Sequence, residues 1–404
     1  MEDILFIVHR IPFPPNKGDK IRSFNMLKFL AKHYRVHLAT FIDDPEDEKY
    51  AKELDAYTVD KKIVSVNPLV RRVASMTALL TGEPLSNRYY QSSVISRWVD
   101  DKVKNEGVKK AVLFSSPMAQ FLSGDKFNSV HRIMDFVDVD SEKWLQYSEK
   151  HRFPMSLVFA REGKTLRTYE RKVANEFEAS LLVSDQEAKL FKEIAPESAS
   201  SVHAMLNGVN TDYFDNQLDF PDMYDGNKQA IVFTGAMDYW ANVDAVTWFV
   251  THIFPSIKKT VKEARFYIVG TRPTDKVKEL SKTEGVVVTG SVEDVRPYIK
   301  HASLSVAPMK IARGIQNKVL EAMAMSKVVV ATPEAMEGIS SQESGVTYIE
   351  SDEAAFAKRI TDLLINGDQD DLGEKCRAYV LSHFSWDSHL NKINELMVLP
   401  QLEK

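Results

Sequence analysis

The amino-acid sequence predicts an α/β protein of two Rossmann-like, doubly wound domains facing a central cleft, with a C-terminal helix crossing back to the first domain. Three observations carry this. Short apolar, β-rich runs alternate with segments of helical period along the chain, the pattern of parallel sheets covered by helices. The runs are too numerous for one comfortable sheet, and 404 residues suffice for two or three domains. A polar, turn-rich interval, NGVNTDYFDNQLDFPDMYDGNK, splits the series near its middle.

In chain order, ILFIV, VHLATF, AVLFS, RIMDFV and SLLVS read as strands of the first half, and AIVFTG, RFYIVG, GVVVTG, LSVAP and VVVAT as strands of the second. FNMLKFLAKHY and DAVTWFVTHIFPSIKKTV carry apolar residues at helical spacing, the former in a helix from Ser23 to Tyr34. The boundaries follow: a first domain over 1–205, a linker over 206–228, a second domain over 229–382, and a tail over 383–404. In the tail, Leu390, Ile393, Leu396 and Met397 give the helix Trp386–Val398 an apolar face that needs a partner surface, which the first domain supplies.

Composition excludes several classes. A formal net charge of −5 offers no bulk attraction for nucleic acid. The single cysteine, Cys376, rules out an internal disulfide and a thiolate-built metal site, and fits a reducing, cytoplasmic setting. MEDILFIVHR has two acids before an apolar run of strand length, unlike a secretory signal. No run reaches the roughly 18–20 apolar residues that span a bilayer. The expectation is a soluble protein, or one resting on the inner face of the cytoplasmic membrane.

The stretch ARGIQNKVLEAMAM, Ala312 to Met325, concentrates the chemistry. Residues three and four apart share a helix face, so Asn317, Lys318 and Glu321 form one polar stripe on an otherwise apolar segment. A helix opening near Ile315 presents free N–H groups and a positive dipole end, which favour phosphate. Arg313 and Lys318 add positive charge there, and Gly314 admits close backbone approach. Glu321, about one turn further in, can accept hydrogen bonds from two neighbouring ribose hydroxyls. Phosphate and ribose together mean nucleotide. Read in isolation, Lys318 and Glu321 serve equally well as a surface ion pair worth about 0.2–0.5 kcal/mol.

The order FTG…VG…VTGSVEDV…SVAP…GIQNKVLEAMA resembles the donor half of GT-B-fold glycosyltransferases, family 4 in particular. The resemblance implies that the loop Gly290 to Asp294, with Val292, holds the base through its backbone, that Gly235 borders the donor, and that Glu321 holds the ribose. It also implies a nucleotide-sugar donor, retention of configuration, and no cofactor or metal. The sequence departs from the family twice. Of the two glutamates that family 4 places with seven residues between them, the first is replaced by Arg313, and GAMDYWAN lacks the basic pair that commonly binds the donor phosphates. Arg313 and Lys318 are therefore expected to supply that charge. Asn242, before an apolar-periodic run, reads as a helix N-cap.

In the first half there is no GxGxxG fingerprint. The loop HRIPFPPNKGDKIR resembles the glycine-bearing loop that family 4 places over the donor pyrophosphate. Gly18 is its candidate contact, and Lys17, Lys20 and Arg22 its positive rim; a purely structural turn is the alternative. At a strand end, DFVDVDSEKW offers Asp138 to orient the acceptor hydroxyl or the sugar, where the family often has histidine. A helix cap, or an Asp138–Asp140 pair binding Mg²⁺ or Mn²⁺, are the competing readings, the metal disfavoured by the two-domain plan. Arg71 and Arg72 flank the apolar Met76, Leu79 and Leu80 in a patch suited to an anionic membrane or a lipid tail, or to packing in the domain. HRFPMSLVFAREGKTLRTYERKVA is a second basic stretch assigned to the same cleft.

DFVDVDSEKW, VSDQEAKLF, FTGAMDYWANVDAVTWF and GIQNKVLEAMA together resemble one subgroup, the bacterial glycosyltransferases associated with PEP-CTERM/exosortase systems. The implied partners are a UDP-sugar and a glycan or lipid-linked acceptor in exopolysaccharide assembly. Lys318, Arg313 and the helix start would stabilise the departing diphosphate, and Asp138 would serve the acceptor side. Two other readings stay open: a non-hydrolysing sugar-nucleotide epimerase on the same fold, and a nucleotide-binding scaffold that lost turnover when arginine came to stand at 313.

Overall fold

The computed structural model describes residues 1–15, 18–311, 315–337, 339, 347–367 and 370–398. The chain divides into two compact units, Met1–Asn207 with His389–Lys404, and Gly208–Ser388.

The first unit carries β1 (Asp3–Val8), β2 (Arg35–Ile42), β3 (Asp60–Ser65), β4 (Lys110–Phe114), β5 (His131–Val137), β6 (Ala179–Leu182) and β7 (Val202–Ala204). They form one parallel sheet in the order β3-β2-β1-β4-β5-β6-β7. Its central strands are apolar without alternation because both faces are covered: Ile4 to Val8 are all fully buried. The second unit carries β8 (Ala230–Thr234), β9 (Arg265–Val269), β10 (Val286–Gly290), β11 (Leu304–Ala307), β12 (Val329–Ala331) and β13 (Tyr348–Ile349). These form a second parallel sheet in the order β10-β9-β8-β11-β12-β13. In both sheets the winding direction reverses, between β1 and β4 and between β8 and β11. That reversal opens a crevice at the carboxyl ends of the strands, where ligands of such sheets bind.

The strands read from sequence are all present. β3, β7 and β13 are additional, and each lacks the signal the others carry. β3 (DKKIVS) is an edge strand, only partly buried, in which two lysines interrupt the apolar run. β7 and β13 have three and two residues, too few for any periodicity. The first long helix runs Gly18–His33, opening five residues before the expected Ser23, so Gly18 lies in a helical turn and not in a loop. The helix Trp240–Trp248 continues through a π-turn, Phe249–Ile253, into Phe254–Thr260. Pro255 accounts for that irregularity, since it brings no N–H for the Thr251 carbonyl and its ring crowds the preceding turn.

The last helix, Trp386–Leu396, straddles the return to the first unit. Leu390, Ile393 and Met397 are buried. The Tyr34 hydroxyl donates to Asn394 Oδ1 at 3.2 Å, and His131 Nε2 lies 2.8 Å from the Leu396 carbonyl. Where the chain passes into the second unit, Gly208 lies so close to Trp386 that a Cβ there would come within 2.4 Å of its backbone nitrogen.

Candidate functional site

The second unit holds a pocket of about 540 Å³ at the carboxyl ends of its strands. Thr234 and Gly235 end β8, Val269 and Gly270 end β9, and Val292, Glu293 and Val295 follow β10. Asn317, Lys318 and Glu321 enter from the helix Asn317–Ala324, whose N-cap position is Gln316, two residues later than expected. The strand ends pack so closely that a Cβ on Gly270 would lie 1.7 Å from the Gly235 carbonyl oxygen. One on Gly235 would lie 2.7 Å from Asn242 Nδ2. Backbone therefore forms the floor here, where a diphosphate could lie against it.

Lys318 and Glu321 share the pocket-facing side of their helix, while Val319, Leu320, Ala322 and Met323 are buried in the core. The Lys318 ammonium donates to Asn242 Oδ1 at 2.8 Å, stands 5.0 Å from the centre of the Phe233 ring, and lies 3.8 Å from Met309 Sδ. None of those neighbours is an anion. Burial pulls its pKa down to about 8, with Glu321 resisting the shift. Burial also pushes the Glu321 carboxyl up to about 7, with Lys318 holding it back. The pocket thus contains a cation and a carboxyl, both strained by desolvation and both better satisfied by a ligand bearing negative charge and hydroxyl donors.

Asn242 departs from its sequence reading. Tyr239 takes the N-cap position of the helix Trp240–Trp248, without a side-chain cap. Asn242, in the first turn, is buried; its Nδ2 donates to the Ala236 carbonyl at 2.9 Å while its Oδ1 receives Lys318. The amide bridges the β8 loop to a base delivered from a helix 76 residues later. No local signal marks this role, because an asparagine in the first helical turn looks the same whether it caps or reaches sideways. Tyr213 was missed too: it lines the pocket from within the 206–228 interval read as a linker, residues that from 208 onward fold with the second unit. Arg313 and Gly314 lie outside the described residues, and Ile315 is at the pocket edge. Gly290 ends β10 in a left-handed conformation (φ 71°), and the turn it makes brings Val292 to the pocket.

The first-unit candidates are arranged differently. Lys17 lies outside the described residues. Lys20 is 2 % exposed and its ammonium is 2.6 Å from Asp47 Oδ2; it is a buried ion-pair partner and does not form a positive rim. Arg22 is likewise buried, its guanidinium forked onto Asp135 at 2.8 and 3.2 Å and donating to Asn207 Oδ1. Short spacing to Gly18 suggested a rim; the helix starting at Gly18 turns both bases inward. Asp138 sits just beyond β5, partly exposed, with Lys143 Nζ 2.6 Å away and also 3.3 Å from Asp140. It does not cap the following helix, whose N-cap position is Val139. Among the described residues no group of three or more His, Cys, Asp or Glu side chains is placed to hold a metal ion. Strained backbone marks the same edge, with Ser115 and Val137 at φ of 77° and 71°.

The basic, apolar stretch forms the helices Pro68–Ser75 and Ala78–Thr81. Leu69, Val73, Met76 and Leu80 are 70, 69, 59 and 90 % exposed, and Leu79 is 39 % exposed, so the packing alternative does not describe them. Arg72 is exposed beside them, while Arg71 donates to the Gln91 carbonyl at 2.7 Å. Among the described residues no helix is long and apolar enough to cross a membrane.

Comparison with known proteins adds to this geometry. Residues 228–366 match the family model described as "Glycosyl transferases group 1". A Klebsiella pneumoniae protein described as an uncharacterised 44.6 kDa protein in the cps region is 23 % identical over 147 residues, 34 % of this chain and 38 % of that protein. A glycosyltransferase from Rickettsia africae superposes with a TM-score of 0.61 at 15 % identity, covering 98 % of this chain and 97 % of that one. Anabaena HepE in complex with UDP superposes with a TM-score of 0.59 at 13 % identity, covering 98 % and 99 %. At these identities the structures establish a shared fold, GT-B.

Proposed function

We propose that this chain, of GT-B fold and matching the group 1 glycosyltransferase model over residues 228–366, is a glycosyltransferase that moves a sugar from a nucleoside-diphosphate donor to a glycan or lipid-linked acceptor in surface-polysaccharide synthesis. The observation that carries the donor assignment is the placement of Lys318 and Glu321 together in one pocket, the ammonium in no ion pair with a carboxylate among the described residues and resting on Asn242. In this reading the diphosphate lies against Gly235, the start of the helix Asn317–Ala324 and Lys318, while Glu321 accepts from the ribose hydroxyls. UDP is the favoured nucleotide, and HepE of the same fold binds UDP.

In the reaction, the acceptor hydroxyl oxygen bonds to the anomeric carbon as the bond from that carbon to the diphosphate oxygen breaks. The electron pair leaves with the nucleotide, the acceptor's hydroxyl proton passes to the departing diphosphate oxygen, and Lys318 with the helix N–H groups meets the charge that develops. Retention of configuration, a role for Asp138 on the acceptor side, diphosphate contacts from Gly18 and Arg313, and independence of metal rest on the family resemblance. The exosortase association rests on the long sequence motifs, and a surface-glycan role draws support from the relative in a cps region. The exposed Leu69–Leu80 row with Arg72 favours docking on an anionic bilayer, where a lipid-linked acceptor would be found.

The test is Lys318→Ala. UDP affinity is expected to fall by about tenfold or more, as for loss of a charge-assisted hydrogen bond, with little change in melting temperature. Equal loss of both would refute the reading. Donor incubated without acceptor is expected to give slow hydrolysis and no epimer; epimer formation would favour the epimerase alternative.

A further inference from the structure

Beside the pocket lies a second cavity of about 740 Å³, lined by Phe220, Thr289, Asp294, Arg296 and Tyr298 among others. Tyr213 lines both cavities, whereas Arg296 lines only the second. The Arg296 guanidinium stands 3.8 Å from the centre of the Tyr213 ring and 4.9 Å from that of Phe220. Arg296 thus lies over both rings, and Tyr213 is the member of the three that also lines the pocket holding Lys318 and Glu321.

The group is held firmly for a feature so near the surface. Arg296 Nη2 donates to Asp294 Oδ2 at 2.6 Å and Nη1 to the Tyr213 carbonyl at 3.1 Å. The Tyr213 hydroxyl donates to Asp294 Oδ1 at 3.4 Å, and Phe214 meets the ring at right angles with centroids 5.0 Å apart. Yet Tyr213 remains 40 % exposed. A fixed aromatic ring, held by a cation and partly exposed in the lining of a pocket read as a phosphate-and-ribose site, suits one use. Every nucleobase has a flat π-face, and stacking on an aromatic ring adds affinity without reading the base edge.

We propose that Tyr213 is the platform on which the donor's nucleobase stacks, with Arg296 as the positioning residue that holds the ring. The proposal rests on the donor-pocket reading and extends it. Base choice would then come from the Gly290–Asp294 backbone, while Tyr213 contributes to every nucleoside diphosphate alike.

The test measures UDP affinity by calorimetry for the intact protein and for Tyr213→Leu, Tyr213→Phe and Tyr213→Trp, with melting temperatures alongside. Tyr213→Leu is expected to bind UDP about tenfold or more weakly, the loss of one base–aromatic stack. The Phe and Trp variants keep a flat ring and should hold wild-type affinity within about threefold, on the same principle. Wild-type affinity in the Leu variant would overturn the proposal. So would a loss in the Phe variant as large as in the Leu variant, which would assign the effect to the phenol–Asp294 contact. If Tyr213→Leu leaves UDP binding intact while Lys318→Ala abolishes it, the stacking role alone falls. If the unaltered protein fails to bind UDP, the donor-pocket reading falls and the stacking role with it.

Discussion

Glu321 shows what a binding site costs at the scale of one side chain. Its carboxyl is raised to about 7 by burial, against an ordinary value near 4.5, so the folded state binds more protons than the unfolded state between those limits. Stability from this group is therefore present at low pH and is lost as pH rises from about 4.5 through about 7. Glu321→Gln removes that penalty. It should raise stability at pH 8 by about 1–2 kcal/mol, allowing for solvent at the pocket mouth, and leave pH 5 nearly unchanged. The same variant should lose most UDP affinity. Urea melts at the two pH values check the first outcome and calorimetry the second; a uniform stability change at both pH values would contradict the assignment. Lys318 and Glu321 were legible in the sequence because a three-residue spacing on an apolar helix is a local fact. Asn242 and Tyr213 were not, since each acquires its meaning from a partner brought by the fold: Lys318 for one, Arg296 for the other.

Among the secondary-structure elements, the first helix is tied to the sheet by charge as well as by packing. Arg22 and Asp135 are 1 and 0 % exposed, and burial raises the Asp135 carboxyl against the pull of Arg22. Removing one partner strands the other in a low-dielectric interior, so Arg22→Ala should destabilise the first unit by about 3–5 kcal/mol. Arg22→Met with Asp135→Leu should recover much of that loss, which a melting series of single and double variants would read. Long apolar strands were legible at this scale because residues buried on both faces leave continuous runs. Lys20 and Arg22 misled for the complementary reason: composition reports charge but not direction, and a helix that begins a turn early aims both at carboxylates far off in sequence.

For the molecule as a whole, the exposed row on the helices Pro68–Ser75 and Ala78–Thr81 bears on where the protein works. Val73→Asp with Leu80→Asp should reduce sedimentation with anionic phospholipid vesicles by about tenfold, because each substitution replaces apolar insertion with charge repulsion. UDP affinity should stay unchanged. Undiminished vesicle binding would remove the membrane from the account. The two-sheet plan was legible from alternation and from the polar break, which report on chain-length patterns.

The chain crosses into the second unit at Gly208 and returns after Ser388. The second unit is thus an insertion with both ends anchored in the first, and neither is a simple truncation product. On the proposed donor reading, a genetic exchange of this internal cassette would change the sugar transferred while leaving both termini, and whatever they serve, as they were.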